Sequence, residues 1–122
     1  MSLRRYQELD VWKKAMDLEC YLVTKNFPKS EVYGLGSQLQ RAVISIPANI
    51  AERQGRQHPK EFLQFLSVAY GSLAELETHL QISERLNYID SSLLEQLMMK
   101  TGEIGRMING LRKSLRAKPQ KC

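Results

Sequence analysis

The sequence predicts an all-α protein: an up-and-down, left-handed four-helix bundle with a proline kink in its second helix. Three observations carry that expectation. Four segments repeat apolar residues every three or four positions. The breaks between them are short, which makes consecutive helices antiparallel neighbours. No stretch of useful length alternates apolar and polar residues as a half-buried strand would.

The first helix is expected from Asp10 to Phe27, with Val11, Ala15, Leu18 and Leu22 on one face and Trp12, Met16 and Val23 widening it. Asp10 suits an N-cap, because its carboxylate can accept first-turn N–H groups. Pro28 ends the helix by disfavouring helical angles in the residue before it. After a connection over residues 28–34, the second helix is expected from Gly36 to Arg56, with Leu39, Ala42, Val43, Ile46 and Ile50 as its stripe. Pro47 interrupts this helix. It has no N–H to give the Val43 carbonyl, and its ring predicts a kink, with Ser45 and Asn49 near enough to serve the freed backbone groups. Gly55 closes the helix or opens the next turn.

The third helix is expected from Pro59, a residue suited to the first helical position, to Leu86. Its stripe is Phe62, Phe65, Leu66, Ala69, Leu73, Leu76, Leu80 and Ser83. His58 would be its cap residue, a weak choice chemically. A tight break at Asn87–Asp90 follows, and Asp90, with Ser91 and Ser92, starts the fourth helix. There the stripe is Leu94, Leu97, Met98, Thr101, Ile104, Ile108, Leu111 and Leu115, and Pro119 cannot continue it. The whole of 1–122 reads as a single domain, with 117–122 a flexible basic tail.

Apolar residues also fall outside the four stripes, at Trp12, Leu63, Val68, Tyr70, Leu93 and Met99. Some of this surface is expected to serve an interface. Gly71, Gly102 and Gly105 lie inside helices, where each costs about 1 kcal/mol relative to alanine. Such glycines mark close helix approach, either within one chain against a bulky neighbour or between subunits.

At 122 residues with 43% hydrophobic content, the chain can build a core without metal or disulfide staples. Two cysteines, Cys20 and Cys122, make no disulfide framework, so a reducing, cytoplasmic setting is the simpler expectation. No apolar run approaches the roughly 20 residues of a membrane span. No signal-type apolar core follows Met1–Glu8.

Catalytic chemistry finds little footing. There is no Glu-x-x-His pair of the kind that builds two-metal carboxylate centres, and no phosphate-cradling Gly-x-x-x-x-Gly-Lys loop. Glu75 and His79, four apart, can share a helix face, but two histidines without partner cysteines do not make a structural zinc site. Cys20 has no histidine nearby in sequence and reads as a small, partly buried hydrophobe. The expectation is a protein that is not an enzyme and takes no metal and no cofactor.

Charge is the more informative property. The formal net charge of +5 is concentrated: residues 1–103 hold 12 basic and 13 acidic residues, whereas 104–122 hold six basic residues and no acidic one. Those six are Arg106, Arg112, Lys113, Arg116, Lys118 and Lys121. The helix dipole and solubility account for two or three of them. All six together make a handle for phosphates. A second group, Arg53, Arg56 and Lys60, gathers where the third helix begins and free N–H groups favour anions; as a solvated interhelical loop it would need no ligand. No aromatic residue interleaves with these cations in sequence as a stacking platform.

Several segments resemble the small four-helix-bundle proteins encoded in intervening sequences of bacterial 23S rRNA genes. They are Leu9–Ala15, Phe27–Lys29, Tyr33–Leu35, Gln38–Glu52, Gly55–Arg56, Lys60–Phe62, Phe65–Leu66, Gly71–Thr78 and Leu86–Ile89. The most specific part is Ser45-Ile46-Pro47-Ala48-Asn49-Ile50-Ala51-Glu52. Two positions depart from the family pattern: Arg53 stands where Gly is usual, and His58 where Ser or Thr is frequent. The resemblance implies a homo-oligomer, a pentameric ring first and a dimer second, and implies no established activity. It also extends in fold to the accessory variability proteins of diversity-generating retroelements, basic pentamers that bind nucleic acid and a reverse transcriptase. The functional expectation is therefore a non-catalytic cytoplasmic homo-oligomer, unconnected with a membrane, that binds RNA or DNA through backbone phosphates. The alternative is a structural or protein-interaction module whose partner is another protein.

Overall fold

A computed structural model describes residues 8–23, 34–52 and 59–117. Within them the chain forms four helices and no strand: α1 (Asp10–Val23), α2 (Leu35–Ala51), α3 (Pro59–Arg85) and α4 (Ser91–Ala117). The expected ends of α1 near Phe27 and of α2 near Arg56, the His58 cap and the tail beyond Ala117 lie outside the described residues. Each helix packs on its neighbour in sequence, most extensively α2 on α3, and α1 closes on α4 along a thinner seam. This is an all-α four-helix bundle.

The apolar stripes become the core. Val11, Ala15, Leu18 and Leu22 from α1, Leu39, Val43, Ile46 and Ile50 from α2, and Leu66, Leu73, Leu76 and Leu80 from α3 are buried together with Leu97, Ile104 and Ile108 of α4. Each such leucine or isoleucine contributes about 1.5–3 kcal/mol by leaving water. Trp12 and Leu93, outside the strict stripes, pack half-buried against this cluster. Cys20 is a correction: it is exposed, because it lies two residues from buried Leu18 and therefore on the opposite side of α1.

Helix ends are built from local chemistry. Asp10 is the first helical residue, not the cap: the Leu9 carbonyl accepts the first helical bond from the Lys13 N–H at 3.1 Å. Asp10 keeps its value there as a negative charge at the positive end of the dipole. In α2 the Gly34 carbonyl plays the same part toward the Gln38 N–H, at 3.0 Å.

The α3–α4 junction is the most completely determined. Asn87 adopts φ 65°, a left-handed conformation that asparagine tolerates better than most residues. The Tyr88 N–H donates to the Ser83 carbonyl at 2.9 Å and the Asn87 N–H to the Glu84 carbonyl at 3.0 Å. These are the two bonds of a Schellman closure. Asp90 then caps α4, its Oδ1 accepting the Leu93 N–H at 2.8 Å.

Pro47 is buried within α2. Around it the Asn49 amide donates to the Ser45 carbonyl at 2.8 Å and to the Ser45 hydroxyl at 2.9 Å. Ser45 Oγ accepts that bond and also shares a hydrogen bond with Ser72 Oγ on α3, 2.8 Å away, in which either hydroxyl can donate. The most family-specific segment of the sequence thus serves as a polar clasp between α2 and α3.

Candidate nucleic-acid interface

The register of α3 against α4 decides where the cations of α4 stand. Thr101 donates its hydroxyl proton to Glu77 Oε2 at 2.6 Å, the stronger of its two contacts because the acceptor is charged. One turn further along α4, Gly105 is buried, and a Cβ there would meet Leu73 Cδ2 at 3.2 Å and Tyr70 Cε1 at 3.6 Å. Further on, the Arg112 guanidinium lies over the Tyr70 ring, 5.3 Å from its centroid. The partners on α3 descend as those on α4 ascend, so the two helices are antiparallel. Each has 27 residues, about 40 Å at 1.5 Å per residue.

Antiparallel packing brings the N-terminal end of α3 to the C-terminal end of α4. Lys60, exposed in the first turn of α3, therefore shares one end of the bundle with Lys113 and Arg116. Among the described residues, one cation of the first group thus lies at the same end of the bundle as two of the second. Arg106, Lys113 and Arg116 are exposed, and Arg112 is half-buried. Positions 106, 109, 113 and 116 recur at three, four and three residues, a single stripe along α4. Among the described residues neither Arg106, Lys113 nor Arg116 pairs with a carboxylate. Arg53, Arg56, Lys118 and Lys121 lie outside the described residues.

Arg112 differs from its neighbours. Its Nη1 donates to Asn109 Oδ1 at 2.9 Å, and its Nε is buried without a hydrogen-bond partner. The contacts that hold it are thus a neutral amide and the face of a ring, so no counter-ion at these contacts offsets its charge. One aromatic ring, Tyr70, thus meets a cation of α4 from the neighbouring helix, where no spacing within one segment reveals it. Beside this pair lies a groove of about 160 Å³ between α3 and α4, with Glu77, Gly102, Gly105 and Arg106 among its lining residues.

The other candidate positions resolve differently. Glu75 Oε2 and His79 Nε2 do share a face of α3, 3.4 Å apart. Among the described residues no group of three or more His, Cys, Asp or Glu side chains is placed to hold a metal ion. Of the glycines, Gly105 marks close helix approach, whereas Gly71 has open space and Gly102 faces only the Arg106 guanidinium at 3.5 Å. Tyr70, Val68 and Met99 are exposed, as are Ile44, Ile82 and Leu86, which the stripe reading did not single out. No helix among the described residues is long and apolar enough to cross a membrane.

The fold defines a small all-α helical-bundle protein. The chain belongs to the family described as 23S rRNA-intervening sequence protein, whose pattern matches residues 7–110. Among solved structures it is similar to a protein of unknown function from the S23 ribosomal protein family of Bacteroides thetaiotaomicron VPI-5482. That similarity has a TM-score of 0.77 at 25% identity, covering 84% of this chain and 95% of the other. No curated protein matches the sequence.

Proposed function

We propose that this chain is a non-catalytic, cytoplasmic homo-oligomer that binds RNA or DNA through backbone phosphates. One observation carries the reading: Arg106, Lys113 and Arg116 stand exposed on α4 beyond Glu103, where the sequence has no acidic residue, and Lys60, beside Glu61, stands exposed at the same end of the bundle on antiparallel α3. Such a surface recognises the phosphate chain first and the base sequence little. Assembly would multiply weak contacts through effective concentration. A ring of five, the first expectation, would carry roughly +25, and a dimer is the second. The non-catalytic reading is supported by a sequence without a nucleophile–base pair or phosphate loop of recognised spacing.

The test is a fluorescence-anisotropy titration with structured RNA, duplex DNA and single strands at two salt concentrations. Affinity is expected to fall steeply with salt, with a slope near −0.9 per phosphate neutralised on duplex DNA. Replacing Arg112, Lys113, Arg116, Lys118 and Lys121 by glutamine should flatten that slope. Failure to bind any of the three at low salt would reject the reading. Assembly is tested separately by analytical ultracentrifugation, where a monomer at tens of micromolar counts against it.

A second reading, a protein-interaction module, is favoured by the exposed apolar residues Ile44, Val68, Ile82, Leu86 and Met99. Binding of a protein partner that ignores salt, together with no binding of nucleic acid, would select it.

A further inference from the structure

We propose that the α3–α4 groove seats one unpaired nucleobase, while Arg106 and the cations beyond it hold the flanking phosphates. The inference rests on the phosphate-binding reading and adds the form of nucleic acid: a single strand or a loop, in preference to a duplex.

Four features of the groove point to a base. First, it is a small groove of about 160 Å³, on the scale of a single flat ring. Second, one wall is the Tyr70 side chain, 39% exposed, with the Arg112 guanidinium over its ring. Aromatic rings and guanidinium planes are the surfaces on which unstacked bases rest, and they accept any base because every base has a π-face. Third, the floor is low where Gly102 and Gly105 contribute no side chain. A leucine at 102 would project into that space.

Fourth, Glu77 lines the groove, and its acceptance of the Thr101 proton uses one of the roughly four acceptor sites of a carboxylate. A carboxylate repels a phosphate and accepts from the N–H groups on a base edge. The phosphates are therefore kept at the rim, where the Arg106 guanidinium lies beside Gly102, 3.5 Å from where its Cβ would be. The half-buried carboxylate selects the base inside and the exposed cations select the backbone outside. In a duplex the bases are stacked and paired, and seating one would require its extrusion at a cost of a few kcal/mol.

The experiment compares three ligands of equal length at one salt concentration by fluorescence anisotropy: a single strand, its blunt duplex, and the same strand made abasic throughout. The wild-type protein should bind the single strand about ten-fold more tightly than either of the other two. Tyr70→Leu should lose about ten-fold on the single strand, so that its preference over the duplex and the abasic strand disappears, and Tyr70→Phe should restore that preference. Gly102→Leu fills the groove from the α4 side and should reproduce the loss, so the result does not depend on the Tyr70 variant folding. Circular dichroism confirms that each variant keeps its helices. Equal affinity for all three ligands, or a Tyr70→Leu protein that binds the single strand as wild type does, overturns the base seat and leaves the phosphate reading standing. Absence of binding to every ligand overturns both.

Discussion

The two seams that α4 makes, with α3 on one side and α1 on the other, are built in different ways. The α3–α4 seam follows a five-residue junction that is closed by Asn87 and capped by Asp90. Along its length it carries a short hydrogen bond at Thr101, a glycine contact at Gly105 and a cation over Tyr70. The α1–α4 seam joins the two ends of the chain. It carries an exposed ion pair, Lys14 to Glu103 at 3.4 Å, beside an open groove of about 470 Å³ lined in part by Leu18, Tyr21, Leu97 and Ile104. The position of the α4 cations is therefore set by the first seam. A register shift there would move Arg106 and Arg112 relative to Tyr70 and Lys60, whereas loosening the second seam would leave them in place.

The largest expected effect comes from the first seam. Thr101→Val keeps the shape and removes the proton that Glu77 accepts. A hydrogen bond to a charged group contributes about 1.5–3 kcal/mol, and the half-buried carboxylate loses its protein partner. Urea denaturation should show a loss in that range with an unchanged m-value. An effect below about 0.5 kcal/mol would mean that the register is held by apolar packing alone.

The next effect is at the junction. Asp90→Ala removes the acceptor for the Leu93 N–H and should cost about 1 kcal/mol, while Asp90→Asn or Asp90→Ser should keep most of it. Thermal melting of the three variants side by side is the check.

How much of this was legible in the sequence follows from which interactions are local. The four stripes, the Asp90 cap and the break after Leu86 depend on residues within a few positions of one another. The buried set bears out the stripes, with Phe65 of α3 and Leu94, Met98, Leu111 and Leu115 of α4 half-buried, and the Asp90 cap and the Asn87 turn bear out the break. Asp10 was displaced by one position because Leu9 supplies the first carbonyl, a choice that propensity does not distinguish. The cations of α4 were equally legible as charge.

Their meeting with Lys60 was implicit in the antiparallel order of α3 and α4, although the two groups read as separate along the chain. Tyr70 was not legible as part of the site. Its pairing with Arg112 depends on a register set by Thr101 and Gly105, and neither spacing nor composition encodes a register between helices.

Gly102→Ala should have a smaller effect and the opposite sign. A Cβ there meets only the end of a flexible arginine at 3.5 Å, an ordinary contact, so the helical preference of alanine is realised. A gain of up to about 1 kcal/mol is expected. Gly105→Ala should not match it, because its Cβ would press on Leu73 at 3.2 Å and Leu73 is buried. A larger gain at 105 than at 102, measured by urea denaturation, would contradict the account of Gly105 as the point of close approach.

The smallest effect belongs to the second seam. Lys14 and Glu103 hold side chains that are 44% and 49% exposed, and water screens their attraction while ordering two long side chains costs entropy. Lys14→Ala should therefore change stability by less than about 1 kcal/mol, and even that should fade as salt is raised. The double variant with Glu103→Ala isolates the pair from the separate effects of each side chain. A coupling well above about 1 kcal/mol, or one that persists in high salt, would show that this ion pair closes the bundle. The contrast between the seams would then fail, because α1 would help to hold α4 where its cations are presented. A small, salt-sensitive coupling instead leaves α3 as the helix that positions them.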